Sequence, residues 1–148
     1  MDRKDFIKSC GLTCLGAVGL AGILQGCESA RLLSGKIAGD DLLVPLSDFE
    51  TKNGKNTYFK KYIVVQNDIL QYPICVYRFG ENEYSALWMR CTHQGTELQV
   101  FGDKLQCPAH GSEFDNRGGI QNGPADAKLR TFPVTIENTQ LKISLKAV

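Results

Sequence analysis

The sequence predicts an all-β domain, an antiparallel sandwich or barrel, and three observations carry that expectation. From residue 42 onward the apolar residues fall in short runs separated by turn formers. Those runs are rich in β-branched and aromatic side chains, which suit a pleated, half-buried surface. No window of about 12 residues repeats its apolar positions with a helical period.

The first run is 42–49, and the second is 61–65, which carries Tyr62-Ile63-Val64-Val65. PICVYRF at 73–79 and SALWMR at 85–90 follow, divided by Gly80-Glu81-Asn82-Glu83. The last two runs, 132–137 and 141–145, flank Asn138-Thr139-Gln140. Gly, Asn and closely spaced charges disfavour a continuing strand, so each break reads as a turn. Between Arg90 and Arg130 the runs stop, and a glycine-rich stretch holds both histidines of the chain. Glycine costs conformational entropy on folding, so its concentration there points to backbone bent tightly around something.

Composition bounds the rest. At 148 residues and 16.3 kDa, the chain has room for one domain and a short appendage. Lys and Arg total 17 against 16 Asp and Glu, so no strong field directs it to nucleic acid or acidic substrates. Six cysteines are unevenly spread: Cys10, Cys14 and Cys27 near the N-terminus, Cys75, Cys91 and Cys107 in the body. That is not the even framework of a disulfide scaffold. Cys75, alone on an expected strand, reads as a small core residue.

The N-terminus reads as an address. Residues 1–9 carry Arg3, Lys4 and Lys8, whereas residues 10–26 are uncharged and contain five glycines. Seventeen residues at about 1.5 Å each barely cross a bilayer core of about 30 Å. The glycines also disfavour a buried helix, so an export signal fits best. Residues 2–8, DRKDFIK, resemble a twin-arginine signal with Lys4 in place of the second arginine. Leu24-Gln25-Gly26-Cys27 resembles a bacterial lipobox, in which the Cys27 thiol is lipid-modified and becomes the mature N-terminus. A cleaved lipoprotein anchored at Cys27 and a retained N-terminal anchor both follow from this segment. Cleavage before Cys27 would leave 14 basic and 14 acidic residues, a neutral chain. The expected organisation is signal 1–27, tether 28–41 and folded domain 42–148.

Two segments carry the chemistry, Cys91-Thr92-His93-Gln94-Gly95-Thr96 and Cys107-Pro108-Ala109-His110-Gly111-Ser112. Each offers one thiolate and one imidazole, close enough to chelate from one tight loop, with a glycine to turn the chain after it. Structural zinc could take two cysteines and two histidines, although such sites usually pair cysteines in one segment and histidines in the other. One of each per loop suits a binuclear centre of bridged iron. Structural zinc, and two buried histidines with two inert cysteines, are the competing readings.

The paired loops closely resemble those of Rieske iron–sulfur proteins, from Cys91 through Gly123-Pro124-Ala125, and are similar to the Rieske subunits of cytochrome bc-type complexes. The resemblance implies a Rieske-like β fold with a two-loop cluster-binding subdomain and one [2Fe–2S] cluster. Cys91 and Cys107 would ligate one iron, and His93 and His110 the other. Ser112 matches a serine whose hydroxyl donates to a bridging sulfide, and Gly123-Pro124 matches the loop that covers the cluster. Thr96 and Ala109 stand where quinol-oxidising members have a disulfide. Phe114 stands where high-potential members have a tyrosine that donates to a cysteine sulfur. With one donor kept and one lost, an intermediate potential within the family's range of roughly −150 to +300 mV is implied.

The implied function is a membrane-tethered one-electron carrier at the outer, periplasmic face of a bacterial cytoplasmic membrane. It would serve a quinol-to-cytochrome chain with cytochrome b- or c-type partners. A small subunit of an exported molybdenum oxidoreductase and a ferredoxin-type donor to an oxygenase are alternatives. A lipoprotein with a structural metal is the non-redox reading. An oxygenase α-subunit also needs a mononuclear iron on two further histidines, and neither histidine here is spare. No residue is assigned a catalytic role, so the chain is expected to be an electron-transfer subunit rather than an enzyme alone.

Overall fold

The runs at 62–65, 74–77 and 86–89 contain almost no polar alternation, so a sheet built from them must be covered on both faces. The computed structural model describes residues 32–146 and shows that arrangement. Strands β1 (Leu32–Ser34), β2 (Lys36–Ala38) and β3 (Asp41–Pro45) lead through a 3-10 turn at Leu46–Phe49 into the hairpin β4 (Glu50–Asn53) and β5 (Asn56–Phe59). The apolar runs become β6 (Tyr62–Gln66), β7 (Ile74–Arg78) and β8 (Tyr84–Trp88). Four short strands follow: β9 (Gln99–Phe101), β10 (Lys104–Gln106), β11 (Glu113–Asp115) and β12 (Ile120–Asn122). The chain finishes with β13 (Thr131–Phe132), β14 (Val134–Glu137) and β15 (Gln140–Ser144).

A five-stranded sheet, ordered β1-β6-β7-β8-β13, lies between two four-stranded sheets, β14-β15-β3-β2 and β12-β11-β10-β9. The alternation along β7 shows how. Ile74 and Val76 pack with Leu42 and Val44 of β3 and with Leu141 and Ile143 of β15. Cys75 and Tyr77 project from the other face, into a core shared with Leu98, Leu105 and Phe114. Leu105 and Phe114 are register partners across β10 and β11. The same face carries Leu87 and Met89, and the core ends at Cys91 and Cys107. All pairings are antiparallel except β1 with β6. Cys75 is a core residue, as expected, and burial pushes its thiol well above the usual range, with the neighbouring Tyr77 pulling back less strongly.

Three features differ from the sequence reading. The expected strand 132–137 divides at Pro133, which has no N–H for a ladder; β13 pairs with β8, whereas β14 pairs with β15. The hairpin β4–β5 was not expected because all eight of its strand residues are exposed and it shows no buried face. Its two-residue loop starts at Gly54, whose φ is +62°. Most importantly, the segment expected as a tether, 28–41, is part of the domain from Leu32 onward. Leu33 and Ile37 pack on the core, and Gly35 donates its N–H to the Gln66 carbonyl at 2.9 Å. The Asn67 side chain returns a 2.9 Å hydrogen bond to the Gly35 carbonyl. The expected signal at 1–27, with Cys10, Cys14 and Cys27, lies outside the described residues.

Gly35 gives a direct check on that boundary. A Cβ there would sit 2.5 Å from Leu42 Cδ1 and 2.6 Å from Val65 Cγ1, both on buried residues. Gly35→Ala is expected to lower stability by roughly 1–3 kcal/mol through overpacking, read as a lower urea midpoint at unchanged slope. Gly80→Ala, in open space, should leave the midpoint within about 0.5 kcal/mol of the parent. An unchanged midpoint for both would mean that residues 32–38 do not pack on the domain.

Candidate metal centre

Each chemistry-bearing segment is the six-residue loop of a small β-hairpin. Residues 91–96 are closed by the Arg90–Glu97 bridge, and residues 107–112 by the Gln106–Glu113 pair of β10 and β11. The internal hydrogen bonds of the two loops match. Cys91 donates its N–H to the Thr96 carbonyl at 2.8 Å, and Cys107 does the same to Ser112 at 2.8 Å. Gly95 donates back to the Cys91 carbonyl at 2.8 Å, and Gly111 to Cys107 at 3.0 Å. Both glycines have positive φ, +75° and +78°, which L-residues with a side chain rarely adopt. The loops therefore share one backbone frame, with the imidazole third in the first loop and fourth in the second.

That frame separates the donors by solvent. Cys91 and Cys107 are 1% and 2% exposed, at the edge of the apolar core. His93 and His110 are exposed, with ring centroids 5.1 Å apart and planes at 85°. Both cysteines are free thiols. Burial alone would push the Cys107 thiol up. The backbone N–H groups of His110 and Ala109 outweigh it, helped by the Cys91 and Thr96 side chains, and the net shift is downward. A thiol in such a nest of N–H groups is prepared to bind a cation as thiolate. Among the described residues, no three His, Cys, Asp or Glu side chains converge on one metal position. A tetrahedral zinc would need four donors at one point. Two buried thiols on one side and two opposed imidazoles on the other instead suit two metal atoms joined by bridging atoms.

A third segment ties the loops together. Ala125 donates its N–H to Ser112 Oγ at 3.0 Å, and the Thr92 hydroxyl donates to the Ala127 carbonyl at 2.7 Å. Asn122 Nδ2 reaches the Gly111 carbonyl at 3.3 Å. Residues 122–127 thus hold both loops by hydrogen bonds, and with threonine at 96 and alanine at 109 no disulfide joins the loops there. Ser112 is fully buried, and because its oxygen accepts from Ala125, its hydroxyl proton is left to donate elsewhere. Phe114 is buried in the core and brings no hydroxyl. On the outer side the Tyr72 hydroxyl donates to the Gly95 carbonyl at 2.6 Å. Sequence reasoning missed Thr92, Tyr72 and Asn122, because each acts on a residue 11 to 35 positions away.

The chain matches the family model of the Rieske [2Fe-2S] domain over residues 50–133, more than half its length. The cytochrome b6-f complex iron-sulfur subunit of Prochlorococcus marinus (strain NATL1A) is 38% identical over 56 residues, 36% of this chain and 32% of the relative. The methylxanthine N1-demethylase NdmA of Pseudomonas putida is 38% identical over 60 residues, 38% of this chain and 17% of the relative. The match therefore spans a third or less of the length of these two relatives. Among solved structures, the cyanobacterial plasma membrane Rieske protein PetC3 from Synechocystis PCC 6803 is similar with a TM-score of 0.50 and 25% identity, covering 57% of this chain and 86% of that one.

The three-segment clamp is open to a simple check. Thr92→Val removes the donor to Ala127, and the loss of about 1 kcal/mol should speed exchange of the Ala125 amide about fivefold. Thr92→Ser should restore the slow rate. Equal exchange in all three proteins would show that Thr92 does not hold residues 122–127.

Proposed function

The chain belongs to the Rieske [2Fe-2S] domain family, whose cofactor is a [2Fe-2S] cluster, and from that premise we propose that it is a membrane-tethered one-electron carrier of the bacterial cell envelope. In this reading Cys91 and Cys107 hold one iron, and His93 and His110 hold the other. The observation that carries it is the pair of opposed, exposed imidazoles above two buried thiols in matching loops. When bound, the cluster supplies a couple that gains and loses one electron.

The chain's own residues set the conditions for that couple. Two neutral imidazoles in place of two thiolates remove negative charge from the site, so an added electron is less unfavourable than with four cysteines. His93 and His110 are both exposed to water, on the side of the site away from the apolar core. Ser112 holds a hydroxyl proton inside the fold, aligned by Ala125, to donate toward added negative charge. The apolar core behind Cys91 and Cys107 keeps water off the sulfurs, which strengthens each of these interactions.

The likeness to cytochrome b6-f iron-sulfur subunits supports a quinol-to-cytochrome chain as the setting. The uncharged segment 10–26 and the lipobox-like sequence ending at Cys27 support attachment to a membrane. Among the described residues no helix is long and apolar enough to cross a membrane. The organisation we propose is a signal at 1–27, a short link at 28–31 and a folded domain from residue 32.

Redox titration of anaerobically purified protein should show one reversible one-electron couple; its absence would overturn the electron-carrier reading. Zinc without acid-labile sulfide would overturn the cluster ligation. Ser112→Ala should lower the midpoint by roughly 60–130 mV, the equivalent of losing a charge-assisted hydrogen bond of about 1.5–3 kcal/mol. An unchanged potential would remove Ser112 from the site's hydrogen bonding. Cys27→Ala should release the protein from membranes if Cys27 carries a lipid. Membrane association that persists would point to residues 7–26 as a retained anchor.

A further inference from the structure

Beside the first loop lies a cationic patch that the site itself does not use. Arg90 and Arg130 are both exposed, and their guanidinium carbons sit 5.5 and 5.6 Å from the ring centroid of Trp88. Arg130 also lies 4.7 Å from the Phe132 ring and donates to the Leu145 carbonyl at 3.3 Å. Tyr72 packs edge-on against Trp88 with ring centroids 5.4 Å apart, and its hydroxyl binds the Gly95 carbonyl. The Arg90 guanidinium covers Gly95 itself, with Nε 3.3 Å from the position a Cβ would take. Arg90 is thereby fixed against the backbone of the loop that carries His93, and Arg130 shares the Trp88 ring with it.

Neither guanidinium has an ion pair among the described residues. The ion pairs there engage Lys104, Arg117, Lys142 and Lys146. Glu97 lies across the β-bridge from Arg90, yet forms no ion pair with it. Arg117 makes a useful contrast: it stacks on Phe79 in the same way, but is neutralised by Glu83. With a formal net charge of only +1, the whole chain supplies little background field, so two uncompensated charges in one place dominate locally.

We propose that Arg90 and Arg130, held on Trp88, form the docking site for a carboxylate-rich surface of a redox partner protein. The proposal rests on the electron-carrier reading above, because a partner that approaches His93 must also cover Arg90. Contact with the indole restricts the guanidiniums and lowers the entropy lost when they bind. Their planar N–H pairs match carboxylates in two-point contacts. Such a site speeds encounter and selects acidic partners more than it adds affinity.

The test uses the full, cluster-loaded chain and poly-L-glutamate as the probe, followed by calorimetry and by the fluorescence of Trp88, the one tryptophan of the chain. Wild-type protein should bind at low ionic strength and release with salt. R90Q/R130Q should bind roughly tenfold more weakly, whereas K36Q/K52Q, altered on β2 and β4, should change by less than about twofold. R90K/R130K should recover part of the binding. Oxidation of the reduced protein by anionic hexacyanoferrate(III) should slow roughly tenfold in R90Q/R130Q, and much less in R90K/R130K, which keeps both charges. Equal binding by wild type and R90Q/R130Q would overturn the proposal. So would tighter, arginine-dependent binding to phosphatidylglycerol vesicles than to the polypeptide, which would assign the patch to lipid. Failure of the electron-carrier reading is separable, since it would show as a missing redox couple while poly-L-glutamate binding still reports on the patch.

Discussion

The structure depends on one constraint: two thiols must be kept dry while two imidazoles only two or three residues away reach water. A single strand could not do this reliably, because its side chains alternate between faces with a fixed period. The six-residue hairpin loop does it by reversing direction after the cysteine. Cys91 and Cys107 stay at the margin of the apolar core, and the turn carries His93 and His110 outward. The two-faced central sheet makes the dry side available. Its one surface, through Cys75, Tyr77, Leu87 and Met89, packs on the small sheet that bears the second loop. Its other surface is covered by β3 and β15, which buries Ile63, Val65, Ile74 and Val76.

Holding the two loops in register falls to residues 122–127 rather than to a covalent bridge. Thr92 and Ser112 contact that segment from opposite loops. With the proposed role of Ser112 as a donor to the cluster, one side chain would couple stability to potential. Outside, Tyr72 and Arg90 brace Gly95 and extend the site into a charged, aromatic surface.

The two loops that bear the candidate donors were legible in the sequence because a tight loop is local: C-x-H and C-x-x-H, each with a glycine soon after, can be read within a few residues. The strands β6, β7 and β8 were legible for a similar reason, as uninterrupted apolar runs. The small sheet was not, because β9 to β12 have three residues each and offer only Val100, Leu105 and Phe114 inward, too few to show a period. Residues 32–38 were hidden by their composition. Leu33 and Ile37 are their packed apolar anchors, and the close approach at Gly35 depends on an absent side chain. The clamp and the arginine patch were beyond reach altogether, since Thr92–Ala127 and Trp88–Arg130 are brought together only by the fold.

The proposed ligation places iron on the two exposed histidines as well as on the two buried cysteines. Histidine labelled with nitrogen-15, read by electron–nuclear double resonance on the reduced protein, tests it most directly. The account predicts two directly coordinated imidazole nitrogens, one lost in His93→Ser and one in His110→Ser if any cluster survives. A reduced cluster with no nitrogen coupling, or with one that persists unchanged in both variants, would contradict it.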